Sequence, residues 1–168
     1  IRIGEILIPA DLVDETKRRD YTFFEGLGLG FIRQNPVFCP DLAGVLAACV
    51  RERFGECRTR DVYVCTEGPR LETPSEVRKF AGYGGTLVGM ALVPEIFLAK
   101  EREMCYSTVC YATNYAEGVR DRPFEAGVLF EGLLDGSEAG VVVKAESAVA
   151  EIALSAIARV ADKPRECG

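Results

Sequence analysis

Two rhythms of apolar and polar positions alternate along the chain. Runs such as EILIPADLV (Glu5 to Val13) and DVYVCT (Asp61 to Thr66) are short, apolar and β-favouring, and read as strands. Pro9 limits the pairing of the first. Thr86 to Gly89 reads as a short third strand, and CYSTVCYAT (Cys105 to Thr113) as a fourth, buried on both faces. Helical spacing takes over from Pro40 to Phe54, where Leu42, Val45, Leu46, Cys49, Val50 and Phe54 share one face. Thr73-Pro74-Ser75-Glu76 is a capping box with proline at the first helical position, so a helix starts there. Pro94 opens another helix through Arg102. A last one is predicted from about Ala145 to Val160, turning Val149, Ile152, Ala153, Ala156, Ile157 and Val160 to a core. Strands alternating with helices indicate a layered α/β fold around a central sheet, in a single domain over residues 1–168.

One long segment fits neither rhythm. Asp14 to Asn35 is polar, aromatic and rich in glycine, and is expected to be a loop; loops of that length in a compact domain usually serve function or are disordered. The GLGLG run from Gly26 to Gly30 has neither the preceding strand nor the following helix of a phosphate cradle, and reads as flexible loop.

Composition narrows the chemistry. The 168 residues carry 20 Lys and Arg against 26 Asp and Glu, a net charge of −6, which disfavours nucleic acid as a partner. No run of about 18 apolar residues supports a membrane-spanning helix. Histidine is absent, which removes Ser-His-Asp triads, Cys-His dyads and His-ligated metals. The 7 cysteines are odd in number and never form C-x-x-C, so a reducing cytoplasm is the expected location.

In open α/β sheets ligands bind beyond the carboxyl ends of the strands. Three polar segments are expected there: Glu67 to Thr73, Met90, and Asn114 to Gly118. On pattern alone, Glu72 reads rather as a solvated carboxylate, Met90 as a core filler and Asn114 as a turn former.

Three ordered motifs go further. VCTEGPRLETPSE (Val64 to Glu76), LVGMALVPEIFLAKE (Leu87 to Glu101) and CYSTVCYATNYAEG (Cys105 to Gly118), with PVFCPDL (Pro36 to Leu42) upstream, resemble the trimeric purine nucleoside phosphorylases and methylthioadenosine phosphorylases. The resemblance runs from about Gly4 to Gly118 and weakens beyond. It implies a three-layer α/β domain whose central mixed sheet is flanked by helices. It also implies phosphorolysis, with inorganic phosphate as co-substrate, no metal or organic cofactor, and a homotrimer. By the same resemblance, Asn114 faces the purine O6 and N7, and Glu72 accepts from N1–H of a 6-oxopurine. Leu71, usually Phe in the family, forms a wall against the base, and Met90 lines the ribose. Phe31 reaches into a neighbouring subunit's site, while Ala116 and Val128 line the purine and 5′ regions.

Two departures accompany the resemblance. Ala91 stands where the family has a Ser or Thr that donates to phosphate, and a lost hydrogen bond to a charged group costs roughly 1.5–3 kcal/mol. Ile1 corresponds to a point after the family's Gly-rich turn, Arg-His pair and hydroxyl-bearing loop, which together hold phosphate. The chain is therefore expected to be N-terminally truncated relative to the family and inactive alone, either as a fragment of a phosphorylase or as a truncated binding module. The pair Glu72 and Asn114 implies inosine, guanosine or methylthioinosine as substrate, with methylthioadenosine as the runner-up.

Overall fold

A computed structural model describes residues 1–28, 30–121 and 136–160. Along the chain lie β1 (Ile6–Leu7), β2 (Asp11–Glu15), α1 (Pro40–Phe54), β3 (Val62–Thr66), α2 (Pro74–Gly82), β4 (Leu87–Gly89), α3 (Glu95–Glu101), β5 (Cys110–Tyr111) and α4 (Gly136–Val160). β2, β3 and β4 are parallel neighbours, with Asp11 opposite Val62 and Tyr63 opposite Leu87. β1 pairs antiparallel with β5, Ile6 facing Tyr111. Parallel neighbours need long crossovers, and α1 and α2 lie within them.

The strand expected over Glu5 to Val13 is thus two. Pro9 has no N–H to give a ladder, and the chain bends around it. The line is kept by Ile8 N–H donating to the Arg58 carbonyl (3.0 Å) and Ala10 N–H to the Asp61 carbonyl (2.8 Å). These bonds lead from β1 into the β2–β3 ladder, so parallel and antiparallel pairings share one stretch of chain.

Hydrophobic side chains gather in two clusters. Ile6 and Ile8 meet Leu46, Ala47, Cys49 and Val50 of α1 and Ala145, Ala148, Ile152 and Ala156 of α4. Tyr63 and Cys65 of β3 meet Val37, Phe38, Leu92, Val93 and Ile96. Strand side chains alternate. Val64, between Tyr63 and Cys65, is accordingly buried elsewhere, beside Gly85 after α2.

Several expectations change in detail. β5 comprises only Cys110–Tyr111 of the predicted Cys105 to Thr113, and the segment is half-buried, with Val109 and Tyr111 on one cluster and Cys110 on the other. Helix α4 starts at Gly136, before the expected Ala145. Its buried stripe is narrow and mostly alanine, which lets it close on α1 and leaves Ile157 64% exposed. Phe54, at the end of α1, is also exposed, with the Arg53 guanidinium 5.8 Å from its ring. The loop expected from Asp14 begins only at Thr16, because Asp14 and Glu15 pair with Cys65 and Thr66 in β2; from Thr16 to Asn35 the described residues form no helix or strand.

Candidate functional site

A cleft of about 190 Å³ opens beyond the carboxyl end of β3, lined among others by Thr66, Glu67, Gly68 and Glu72. Parallel strands end here together, and the polypeptide must turn into helices, so backbone polar groups are concentrated at this edge. Glu72 is only 8% exposed, and the Thr66 hydroxyl donates to its Oε1 at 2.6 Å. Thr66 is the last residue of β3, so the strand itself aims the hydroxyl that holds the carboxylate. The capping box stands immediately after Glu72. Thr73 Oγ1 accepts from Glu76 N–H (3.3 Å), and Glu76 Oε2 accepts from Thr73 N–H (2.8 Å). Arg70 grips the Glu76 carboxylate at 2.8 and 2.7 Å and, with the Thr73 N–H, holds its pKa down at about 2.

Met90 follows β4 directly. Its sulfur lies against Gly68, where a Cβ would stand 2.6 Å away, and Gly68 has φ of 68°. Space and backbone both require glycine there. Asn114 is half-buried and its amide is engaged at both ends: Thr113 Oγ1 donates to Oδ1 (2.7 Å), and Nδ2 donates to the Tyr115 carbonyl (3.0 Å). Each end retains capacity for a further bond, since an amide oxygen accepts two and an amide nitrogen donates two. The loop carrying Asn114 and Ala116 packs on the start of α2, where a Cβ on Gly118 would stand 2.8 Å from Pro74 Cβ. Met90 thus touches the Gly68 rim of the cleft that Glu72 lines, and the Asn114 loop touches the start of the helix that follows Glu72, while Met90, Leu71, Asn114 and Ala116 themselves are not among the cleft-lining residues. Leu71 is half-buried beside Glu72.

Ala91 lies exposed next to Met90. Its N–H donates to Tyr63 Oη (3.4 Å), and its carbonyl accepts from the Cys65 thiol (2.9 Å). Burial pushes the Tyr63 hydroxyl up to about 12 and raises the Cys65 thiol as well, so neither is primed as a nucleophile. Leu92 has φ of 80°. For a bulky side chain this left-handed conformation costs on the order of 1–3 kcal/mol and is tolerated where surroundings impose it. Phe31 is 86% exposed, so within this chain it does not pack into the cleft. Val128 lies outside the described residues.

Arg19 lies outside the three polar segments that the sequence marks at the strand ends, and Glu67 is marked only as the start of one. Glu67 Oε2 accepts the N–H groups of Lys17 (2.6 Å) and Arg18 (3.2 Å), which, with nearby arginines, hold its carboxyl below the usual range. Arg19 reaches from the long loop to the ends of β3 and β4. In the run Lys17-Arg18-Arg19-Asp20 nothing marks one cation as inward. Thr66 was more legible, since a hydroxyl at the carboxyl end of a parallel strand is where such sites draw their residues. Among the described residues no group of His, Cys, Asp and Glu could hold a metal, and no helix is long and apolar enough to cross a membrane.

Known proteins resemble this chain in sequence and fold. The chain is 42% identical over 128 residues to the probable S-methyl-5′-thioinosine phosphorylase of Methanopyrus kandleri, covering 76% of this chain and 50% of that protein. It is 33% identical over 172 residues to the 6-oxopurine nucleoside phosphorylase of Pyrococcus furiosus, covering 98% of this chain and 61% of that protein. The chain therefore spans about half of the first relative and about three-fifths of the second. A methylthioadenosine phosphorylase from an antarctic soil metagenomic library has the same fold, with a TM-score of 0.79 at 24% identity over 97% of this chain and 55% of that one. The sequence pattern of the phosphorylase superfamily matches residues 1–161, and the chain belongs to that superfamily.

Proposed function

We propose that the protein carrying this chain is a purine nucleoside phosphorylase acting on 6-oxopurine nucleosides: inosine, guanosine or methylthioinosine. A phosphate oxygen attacks the anomeric carbon, the glycosidic C–N bond breaks, and its electron pair passes to the purine. The base then takes up a proton at N7. Hydrogen bonds aimed at the charge developing on the base are the main catalytic resource such a site has. The observation that carries the reading is the buried Glu72 carboxylate, held through Oε1 by Thr66. An ionised carboxylate only accepts, so its other oxygen suits N1–H of a 6-oxopurine and opposes the N1 lone pair of adenine. Asn114 donates to O6 and accepts from N7–H through the capacity its local bonds leave.

Met90 lies against the ribose, Leu71 and Ala116 against the base, and Val128 near the 5′ group. Phe31, standing clear of its own cleft, completes a neighbouring subunit's site in a homotrimer. Phosphate is held without the hydroxyl that Ala91 lacks. The loss at Ala91 favours a second reading, a nucleoside-binding module without catalysis.

Base release from inosine and from adenosine, with and without phosphate, tests both readings in the protein expressed from its complete coding region. Phosphate-dependent release from inosine, with discrimination against adenosine approaching the roughly 10⁴–10⁵ that hydrogen-bonding sites reach, is expected. Nucleoside binding without release would favour the binding module. Equal rates on inosine and adenosine would remove Glu72 and Asn114 as base readers.

A further inference from the structure

The β3–β4 ladder ends at Cys65 opposite Gly89. Beyond that pair the carbonyls of Thr66 and Met90 converge on one guanidinium. Arg19 Nη2 donates to the Thr66 carbonyl at 3.1 Å and to the Met90 carbonyl at 3.0 Å, and Nη1 donates to the carbonyl of Val93. Carbonyls can only accept, so three of them gather at one point only around a shared donor. The Arg19 side chain is 18% exposed and has Glu67 Oε1 as counter-ion at 4.0 Å. The other oxygen of Glu67 takes the N–H groups of Lys17 and Arg18, so the loop grips the strand end by backbone and side chain together.

We infer that Arg19 is a positioning residue: by gathering the carbonyls of Thr66, Met90 and Val93 it sets where the Glu72 carboxylate and the Met90 side chain stand. This rests on the proposed roles of Glu72 and Met90 in holding nucleoside. The links are direct. Thr66, fixed through its carbonyl, holds Glu72 through its hydroxyl. Met90, fixed through its carbonyl, lays its sulfur against Gly68. The left-handed turn at Leu92 is pinned on both sides, at the Ala91 carbonyl by Cys65 and at the Val93 carbonyl by Arg19. A planar fork with five N–H donors can serve three carbonyls at once, whereas the ammonium of lysine is a point charge on a flexible stem.

The test uses Arg19→Lys and Arg19→Gln in the complete protein with ¹³C-methyl methionine, the Met90 signal being assigned by its loss in Met90→Leu. Both variants are expected to shift or broaden the Met90 methyl resonance and to raise the nucleoside KM about tenfold or more, misplacement by about 1 Å being enough for such losses. The phosphate KM should stay within twofold. Lysine should fail to restore either readout. An unmoved Met90 methyl and an unchanged nucleoside KM, with only the melting temperature lowered, would reduce Arg19 to a structural staple and overturn the inference. If Arg19→Gln does not fold, Arg19→Lys, which keeps the charge, is read alone by the same two measures. A wild-type protein that releases no base refutes the phosphorylase reading by itself, and the Met90 methyl still decides the role of Arg19.

Discussion

The layer of α1 and α4 over the β1–β5 pair and the carboxyl ends of β3 and β4 in the three-stranded sheet are built on opposite principles. On the first, alanines at 145, 148 and 156 let two helices close over Ile6 and Ile8, and exposed ion pairs such as Arg159 to Glu52 (2.9 Å) tie the helices further. Such pairs contribute little. Stability there comes from apolar area removed from water. At the strand ends a buried carboxylate, a left-handed leucine and a cluster of carbonyls are held together by Thr66 and Arg19. One region is regular helix packed on strand. The other violates local preference repeatedly within a few residues, and chains keep such violations mainly where a site must be pre-formed.

Substitutions should separate the two regions cleanly. The largest effect is expected at the polar edge, on selectivity. Glu72→Gln combined with Asn114→Asp should collapse discrimination between inosine and adenosine by on the order of 10³-fold or more, measured as the ratio of kcat/KM values. Retention of the wild-type ratio would break the assignment of that edge to base reading. On the packed face, Ile152→Ala should cost about 2–5 kcal/mol in denaturant unfolding, with the inosine-to-adenosine ratio unchanged. A change in that ratio would mean the two regions are coupled.

Asp61 tests a third kind of bond, outside both. It is 2% exposed and held by the Arg58 fork at 2.9 and 2.7 Å, which lowers its pKa. Because its folded pKa lies below the unfolded value, the stability it contributes is complete above the unfolded pKa of about 3.9 and disappears as pH falls through the folded one. Asp61→Asn should therefore cost about 1.5–3 kcal/mol near neutrality, the gap to wild type closing in acid. A gap that is constant with pH would place the loss in packing. The smallest effect belongs to the α2 cap. Thr73→Ala should cost about 1 kcal/mol, read as a lowered denaturation midpoint. Since α2 follows Glu72 directly, a measurable drop in affinity for inosine would sharpen the boundary between cap and site.

The same contrast governs how much the sequence reveals. The VYVCT strand, the face of α1 through Leu46 and Val50, and the box from Thr73 to Glu76 are local patterns, and each is found where periodicity or capping chemistry puts it. Glu72, Met90 and Asn114 become readable through family motifs rather than local pattern; the structure sets Met90 against Gly68 and the Asn114 loop against Pro74. Leu92 gives no warning, because a left-handed turn is announced by glycine or asparagine and not by leucine. Arg19 is hidden for a different reason: its partners are carbonyls far along the chain, and a carbonyl leaves no trace in residue identity. The break at Pro9 was half visible, as limited pairing rather than as two strands.

The hydrogen bonds around Asn114 amount to a polarity key. The Tyr115 carbonyl can only accept, so the end of the amide that faces it must be the nitrogen, and the end that meets the Thr113 hydroxyl is then the oxygen. A half-turn of the amide would set two acceptors against each other. Under the proposed base-reading role, the orientation of this amide is thus fixed by two groups that need never touch the ligand, and it changes by replacement of the side chain rather than by its rotation.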